Sequence, residues 1–318
     1  MRAFAIDAFG ETGTIREMPE PEPAEGDVVL GVKVAGLNGT DIATMNGMLK
    51  DYMEHRFPLV PGIDASGVVE RVGPGVDGYR EGDEIYGYVR RPMMGEGTLA
   101  DRVALPVSGI AHKPNSLSYD QAAVIWHSAL TAAAAVEAVG LRPGDRLVLL
   151  GATGGVGSYA TQLASETGAN VIAVTLGEYG DYARSMGAAE VVDYRSVDAA
   201  EAIRARHPDG VEAVIDLVGI PDLVSSVASL LRRGGRLVST VLPPDIEALA
   251  ARGCEGTLAT RYAGEHRFPE LCARVADGSL KLPAVQTFSF DKVGEAIALQ
   301  ATRHVRGKLA VRIGESAT

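Results

Sequence analysis

The chain has 318 residues, 46% hydrophobic and 22% charged, with 30 basic against 41 acidic side chains, a net charge of −11 and a pI near 5.1. Such a length suits about two globular domains, and the acidity argues against nucleic acid or an anionic membrane as the main partner, because phosphate binding leans on basic patches. The two cysteines, Cys254 and Cys272, lack C-x-x-C spacing, which excludes a disulfide scaffold and a cysteine-rich zinc site.

The opening MRAFAIDAFG alternates like a strand and lacks the apolar core of a signal peptide. No apolar run is read as approaching the roughly 18 residues of a membrane span, so a cytoplasmic protein with no membrane partner is expected. Residues 1–118 read as β-rich. Ala3–Asp7 alternates, MPEPEPAEGD (18–27) is a proline-broken connection, and strand patterns recur at Val28–Val34, Ala65–Val72, Glu84–Val89 and Leu99–Leu105. Turn pairs such as Gly26-Asp27, Gly73-Pro74 and Gly82-Asp83 punctuate them, which predicts a small barrel-like β domain.

At Ser118 the character changes. SYDQAAVIWHSALTAAAAVEAVG opens with an N-cap serine and runs through strong helix formers to a stop at Gly140. Strand candidates Leu147–Leu150, Val171–Val174, Val191–Val192, Ala213–Leu217 and Arg236–Thr240 then alternate with helical segments Val156–Thr167, Tyr182–Met186, Ala199–Arg206 and Leu223–Arg232. Alternating β and α elements imply a doubly wound parallel sheet. The tail ends in a helix and a strand, Leu309–Ile313, expected to return to the β domain. The predicted division is 1–118, 119–255 and 256–318, the last piece completing the first.

The most informative stretch is Asp145–Gly157, DRLVLLGATGGVG, where an apolar run meets a glycine cluster and then a helix. This is how a dinucleotide-binding turn is written: glycines let backbone amides approach a pyrophosphate at the positive end of the helix. The match is Ala152-x-Gly154-x-x-Gly157, with Ala at the first glycine position and extra glycines at 151 and 155. Alone such a pattern is weak, since glycine corners also serve purely structural ends.

Several ordered pieces carry a wider resemblance: Asn38–Asp41, FPLVPGIDASGVVERVG (57–73), GEGTLADRVALP (95–106), Leu130-Thr131-Ala132, LLGATGGVGSYATQLA (149–164), RSMGAAEVVDYR (184–195) and Arg306-Gly307-Lys308. With them the chain resembles the zinc-independent quinone oxidoreductases of the medium-chain dehydrogenase/reductase superfamily over nearly its full length. The resemblance implies an α/β protein with a GroES-like β-rich catalytic domain, a Rossmann domain and a nicotinamide cofactor in a cleft between them. It also accounts for Ala152, since these reductases often carry alanine there. Zinc alcohol dehydrogenases share the fold. Where they carry a cysteine ligand this chain has Asn38, where they have Gly-His-Glu it has Gly62-Ile63-Asp64, and only His127 could ligate at the third position. Catalytic zinc needs about three protein ligands, so no metal is expected.

By resemblance, the cofactor lies on Ala152, Thr153, Gly154, Gly155, Val156 and Gly157, with Thr175, Gly177, Tyr194, Val218 and Thr240 completing its site. The strand Val171–Val174 ends in Thr175-Leu176-Gly177 with no acid at its tip, and Tyr194 matches a tyrosine that lies against a 2′-phosphate in related reductases; both favour NADP(H). Glu178 stands where NADP-using relatives place a base, so NAD(H) stays possible. Asn38 and Thr131 would line the nicotinamide cleft, Asp41 would support that loop, and Tyr52 could donate to the substrate oxygen. Each also has a plainer reading: Asn38 as a turn cap, Asp41 as a helix N-terminal acid, Tyr52 within an apolar Met-Tyr lid. His127, beside Trp126 on an apolar helix, reads first as a packed histidine, and Asp64 as a residue holding its domain together. The leading expectation is an NADPH-dependent reductase of quinones or α,β-unsaturated carbonyl compounds. Rivals are an enoyl-thioester reductase and a non-enzymatic cofactor-binding protein. A homodimer is expected through the Rossmann sheet edge near Arg236–Leu242.

Overall fold

The computed structural model describes residues 1–90 and 93–314. The chain forms two compact units, one made of Met1–His127 with the chain from Ala284 onward, the other of Ser128–Pro283. The junctions thus fall later than the composition change at Ser118 and the expected return at 256. The reason is local. Glu255–Leu258 is still a strand of the second unit, and Phe268–Ala276 is a helix there.

In the first unit, Asp27–Leu37 is the central strand. It is buried at every position but Lys33, and so reads as a continuous apolar run. It pairs antiparallel with Asp64–Val72, Arg102–Pro106 and Lys308–Arg312, the last arriving from the far end of the chain. Glu84–Tyr88 and Ile110–His112 extend the sheet on one side, and Val285–Ser289 on the other. Leu30, Leu37, Leu59, Ile85 and Leu105 pack with Phe290, Val293, Leu309 and Val311 in one core, so the C-terminal segment is part of this unit's interior. Ile110–His112 and three further strands, Thr14–Glu17, Glu54–Val60 and Met93–Glu96, have no counterpart among the sequence expectations, because they are short or largely exposed and carry little apolar periodicity.

The second unit is a six-stranded parallel sheet. Counted in chain order its strands are Arg146–Leu150, Asn170–Thr175, Glu190–Asp193, Val211–Asp216, Leu231–Ser239 and Glu255–Leu258. Their spatial order is 3-2-1-4-5-6, the doubly wound order whose ligands bind beyond the strands' carboxyl ends where the winding reverses. The outer strand is Glu255–Leu258, so Arg236–Leu242 does not form the sheet edge as expected; its strand is interior, paired on both sides.

Ser118 caps its helix as expected. Its Oγ accepts from the Gln121 amide at 3.2 Å while Gln121 Oε1 accepts from the Ser118 amide at 2.9 Å. Tyr119–Val139, 21 residues with mean hydropathy 1.5, is long and apolar enough to cross a membrane by those two measures, which corrects the expectation that no run approaches that length. Its most apolar window is 83% buried inside the protein.

Candidate active site

In the second unit the dinucleotide turn is built by subtraction of side chains. The first strand ends at Leu150, and Gly151 turns the chain with φ +82°, a conformation that disfavours any residue with a Cβ. Gly154 is the N-cap of the helix Gly155–Glu166. A Cβ on it would meet nothing nearer than the Gly151 carbonyl oxygen at 3.5 Å, so its backbone is open to approach. A Cβ on Gly157 would lie 2.6 Å from the Ala152 carbonyl carbon and 2.7 Å from its Cα, so helix and strand pack here without room for a methyl. The three glycine tasks of the motif therefore fall to Gly151, Gly154 and Gly157. Ala152, fully buried, takes none of them. The helix start has no side-chain cap and no acid in its first turn, which leaves its amides and the positive end of its dipole for an anion. That cradle fits a dinucleotide pyrophosphate.

The other expected cofactor residues stand at the same carboxyl edge. Thr153 Oγ1 and Thr175 Oγ1 are 2.6 Å apart and both buried. Thr175 is paired in register with Asp193 on the third strand. Asp193 supplies an acid that a search confined to the tip of the second strand overlooks. Ser196 Oγ (2.6 Å) and the Arg195 amide (3.1 Å) donate to this carboxylate and hold its pKa below the usual range. A Cβ on Gly177 would lie 2.6 Å from Asp193 Oδ2, so a side chain here would have to displace that carboxylate. Tyr194 is half-buried, and burial raises its phenol pKa. Glu178 is exposed. Across the winding reversal, buried Asp216 receives the amides of Val218 and Gly219, both at 2.9 Å, and the Ser239 hydroxyl at 2.8 Å. The Thr240 amide donates to the Asp216 carbonyl at 3.0 Å. Asp216, too, is absent from the sequence expectations, although IDLVG ends a strand in an acid that can catch two following amides. Thr131 is buried in the helix Trp126–Val139 of this unit.

The first unit contributes a buried polar cluster. Asn38, Asp41, Asp64 and Lys308 are each at most 4% exposed. Asn38 Nδ2 donates to Asp64 Oδ2 at 3.2 Å, and Lys308 Nζ donates to Asn38 Oδ1 and to the Leu37 carbonyl, the latter at 2.8 Å. Lys308 Nζ lies 3.9 Å from Asp64 Oδ2, and the His127 amide donates to Asp64 Oδ1 at 3.2 Å. Asp41 Oδ2 accepts from the Asn38 amide at 2.8 Å, fixing the start of the helix Gly39–Met45. Burial pushes the Asp41 carboxyl up to about 7, against the opposing pull of that amide and of the Lys308 charge. Burial likewise lowers the Lys308 pKa, against the attraction of Asp64 and Asp41.

Of the five expected catalytic residues, Asn38 and Asp41 meet in this cluster, and His127 borders it, its Nε2 2.9 Å from Thr40 Oγ1. Tyr52 does not join them: it is 78% exposed, in a turn closed by its amide on the Leu49 carbonyl. Lys308 is not among the expected site residues, though its motif is visible in the sequence, because its partner lies 270 residues away. Among the described residues no group of three or more His, Cys, Asp or Glu side chains is arranged to hold a metal.

Comparisons with known proteins agree with this architecture. Residues 24–115 match the alcohol dehydrogenase GroES-like domain, and residues 155–271 match the zinc-binding dehydrogenase family model. The latter span contains none of Asn38, Ile63, Asp64 or His127. The chain is 29% identical to the chloroplastic quinone-oxidoreductase QR1 of Triphysaria versicolor, covering 98% of both chains. It is 28% identical to the chloroplastic NADPH-dependent alkenal/one oxidoreductase of Arabidopsis thaliana, covering 98% of this chain and 79% of that one. Among solved structures, the quinone oxidoreductase from Coxiella burnetii superposes with a TM-score of 0.85 at 28% identity over 99% of each chain. These relatives and the pyrophosphate cradle make this an oxidoreductase that uses a nicotinamide cofactor. The chain belongs to the medium-chain dehydrogenase/reductase superfamily, in its quinone-oxidoreductase type.

Proposed function

We propose that the protein is an NADPH-dependent reductase of quinones or α,β-unsaturated carbonyl compounds that works without zinc. The observation that carries the zinc-free reading is the donor set of the buried cluster. The Asn38 carbonyl oxygen is taken by Lys308, and the Asp64 carboxylate is taken by the Asn38 side chain and the His127 amide, with the Lys308 charge behind it. A cationic side chain already answers the negative charge there, and few donors are left for a metal.

When bound, the nicotinamide supplies the hydride. The residues then need only hold and orient the reactants and steady an oxyanion with hydrogen bonds. The amides at the start of Gly155–Glu166 bind the pyrophosphate, and Gly151, Gly154 and Gly157 let the backbone approach it. Asn38, with one Nδ2 hydrogen uncommitted, is the donor that the buried cluster of the first unit offers. NADPH over NADH is favoured by Tyr194 and by the lack of an acid at the tip of the second strand. The Asp193 carboxylate already accepts from the Ser196 hydroxyl and the Arg195 amide of its own loop, with the Gly177 amide beside it, which favours a structural over a ribose-binding role.

The same reading includes a cytoplasmic homodimer. The outer strand Glu255–Leu258 offers an unpaired edge, and Val241, Leu242, Ile246 and Leu258 are exposed apolar side chains of that unit. Sedimentation of the purified protein tests the dimer. The function is tested by following loss of reduced-cofactor absorbance with NADPH or NADH against a quinone, a simple enone and no acceptor. Turnover with NADPH and either acceptor is expected. Faster turnover with NADH overturns the cofactor choice, and tight NADPH binding without turnover on any acceptor overturns the substrate class.

A further inference from the structure

The Arg306-Gly307-Lys308 motif has a use beyond closing the sheet. Lys308 opens the strand that pairs with Asp27–Leu37, in a register that sets Leu309 opposite Leu37. This brings the Lys308 side chain to residue 38, the first residue beyond the central strand. Gly307 makes the preceding turn with φ +72°, and a Cβ there would lie within 2.9 Å of the Ala284 backbone nitrogen. The lysine is 4% exposed. Burying an ammonium is strongly unfavourable even after relaxation, so its retention in a core calls for a task that a hydrocarbon could not perform.

We propose that Lys308 is a positioning residue for Asn38, fixing the orientation of its amide so that one Nδ2 hydrogen faces Asp64 and the other stays uncommitted. The inference rests on the reductase reading only for its kinetic consequence. Its chemistry is unambiguous. The ammonium can only donate, so the Asn38 atom against it must be the oxygen; the Asp64 carboxylate can only accept, so the atom against it must be the nitrogen. The flipped amide would set NH₂ against NH₃⁺ and a carbonyl against a carboxylate. Without the ammonium, that discrimination loses one of its two charged partners, and the flipped amide becomes more populated. Asp41 does not replace it, because its Oδ2 takes the Asn38 backbone amide and not the side chain.

The test compares Lys308→Met, Lys308→Arg and the charge-balanced double variant Lys308→Met/Asp64→Asn, which removes the buried carboxylate charge that would otherwise lose its counter-charge and could keep the single variant from folding. In the full-length protein, Lys308→Met and the double variant should lower kcat about 10²-fold, the scale of a misplaced group at a reacting centre. NADPH affinity by cofactor fluorescence should change less than about twofold, and Lys308→Arg should recover most of the loss. Combining Asn38→Ala with Lys308→Met should add nothing to the loss from Asn38→Ala alone, since a positioning residue acts through its partner. A second readout does not need turnover. The Asn38 side-chain amide, identified by its disappearance in Asn38→Asp, should show one slowly exchanging NMR proton in the wild type, keep it in Asp64→Asn alone, whose amide oxygen still accepts, and lose that protection in the double variant. Full kcat in the folded double variant, additive losses with Asn38→Ala, or unchanged protection each overturn the proposal. If the wild type turns over no quinone or enone, the reductase reading fails and the exchange experiment alone decides the role of Lys308.

Discussion

The two units build their sites from opposite materials. The turn at Gly151–Gly157 works because side chains are missing: it offers backbone amides, an uncapped helix start and space. The cluster of Asn38, Asp41, Asp64 and Lys308 works because charged side chains are present where water is not. The first is therefore sensitive to added volume and indifferent to protonation. The second is sensitive to charge and tolerant of isosteric change. A backbone site can be written in seven consecutive residues, whereas a buried charge cluster has to be assembled from distant segments that answer one another.

The largest expected effect falls on the volume side. Gly157→Ala puts a methyl 2.6–2.7 Å from Ala152 backbone atoms that cannot swing aside. It should cost about 2–3 kcal/mol of stability by overpacking, read as a lower denaturation midpoint, and abolish measurable NADPH binding. Retention of wild-type affinity would mean that helix and strand shift freely here. Next comes the charge side. Asp41 has a folded pKa raised to about 7 from 3.8, so the folded state binds more protons than the unfolded one between those values, and this residue's contribution to stability falls as pH rises from about 4 to 7. Asp41→Asn keeps an acceptor for the Asn38 amide and removes the titration. It should therefore gain on the wild type by about 1–3 kcal/mol at pH 8 relative to pH 4. Equal melting differences at both pH values would contradict the burial argument.

Gly154→Ala separates binding from folding within the turn. Its Cβ has room in the protein, the nearest atom being the Gly151 carbonyl oxygen at 3.5 Å, so the melting temperature should hardly move. NADPH affinity should fall about tenfold, or ~1.4 kcal/mol, as the methyl meets the approaching pyrophosphate. An unchanged affinity would put the pyrophosphate elsewhere. The smallest effect belongs to Glu178→Lys. On an exposed loop it should leave stability within about 0.5 kcal/mol, yet lower KM for NADPH several-fold without changing KM for NADH. The opposite preference would make the glutamate a ribose contact.

The contrast also explains what is legible in the sequence. The glycine turn, the Ser118 cap and the alternating strands of the second unit are local signals, readable from a dozen residues at a time, and they lead to the parallel sheet. Even there the division of labour among glycines is hidden, because only the backbone angle of Gly151 and the lack of space at Gly157 reveal which glycine does what. Asp193 and Asp216 are hard to find because their partners include backbone amides, which nearly every residue carries. In the first unit, Asn38 and Asp41 are legible through family resemblance and sit within four residues of each other. Lys308 stands in a recognisable motif but has no partner nearby in sequence, and Tyr52 attracts a chemical role although its local sequence fits an exposed turn as well. The sheet edge is misplaced by one strand because Glu255–Leu258, four largely exposed residues, has no apolar pattern.

The central strand of the first unit, Asp27–Leu37, has a consequence for how the protein is made. One of its edges is completed by a strand whose lysine lies 271 residues downstream, and the whole of Ser128–Pro283 is synthesised in between. The second unit is contiguous and can fold as soon as it emerges from the ribosome. The first must hold an open β edge and an unfilled core until Phe290, Val293, Leu309 and Val311 arrive. Contacts this remote close slowly and leave an unpaired edge exposed to other chains meanwhile. The nascent protein is thus most vulnerable to aggregation late in its synthesis, when its nucleotide-binding half is already formed and its other half still lacks its last strand.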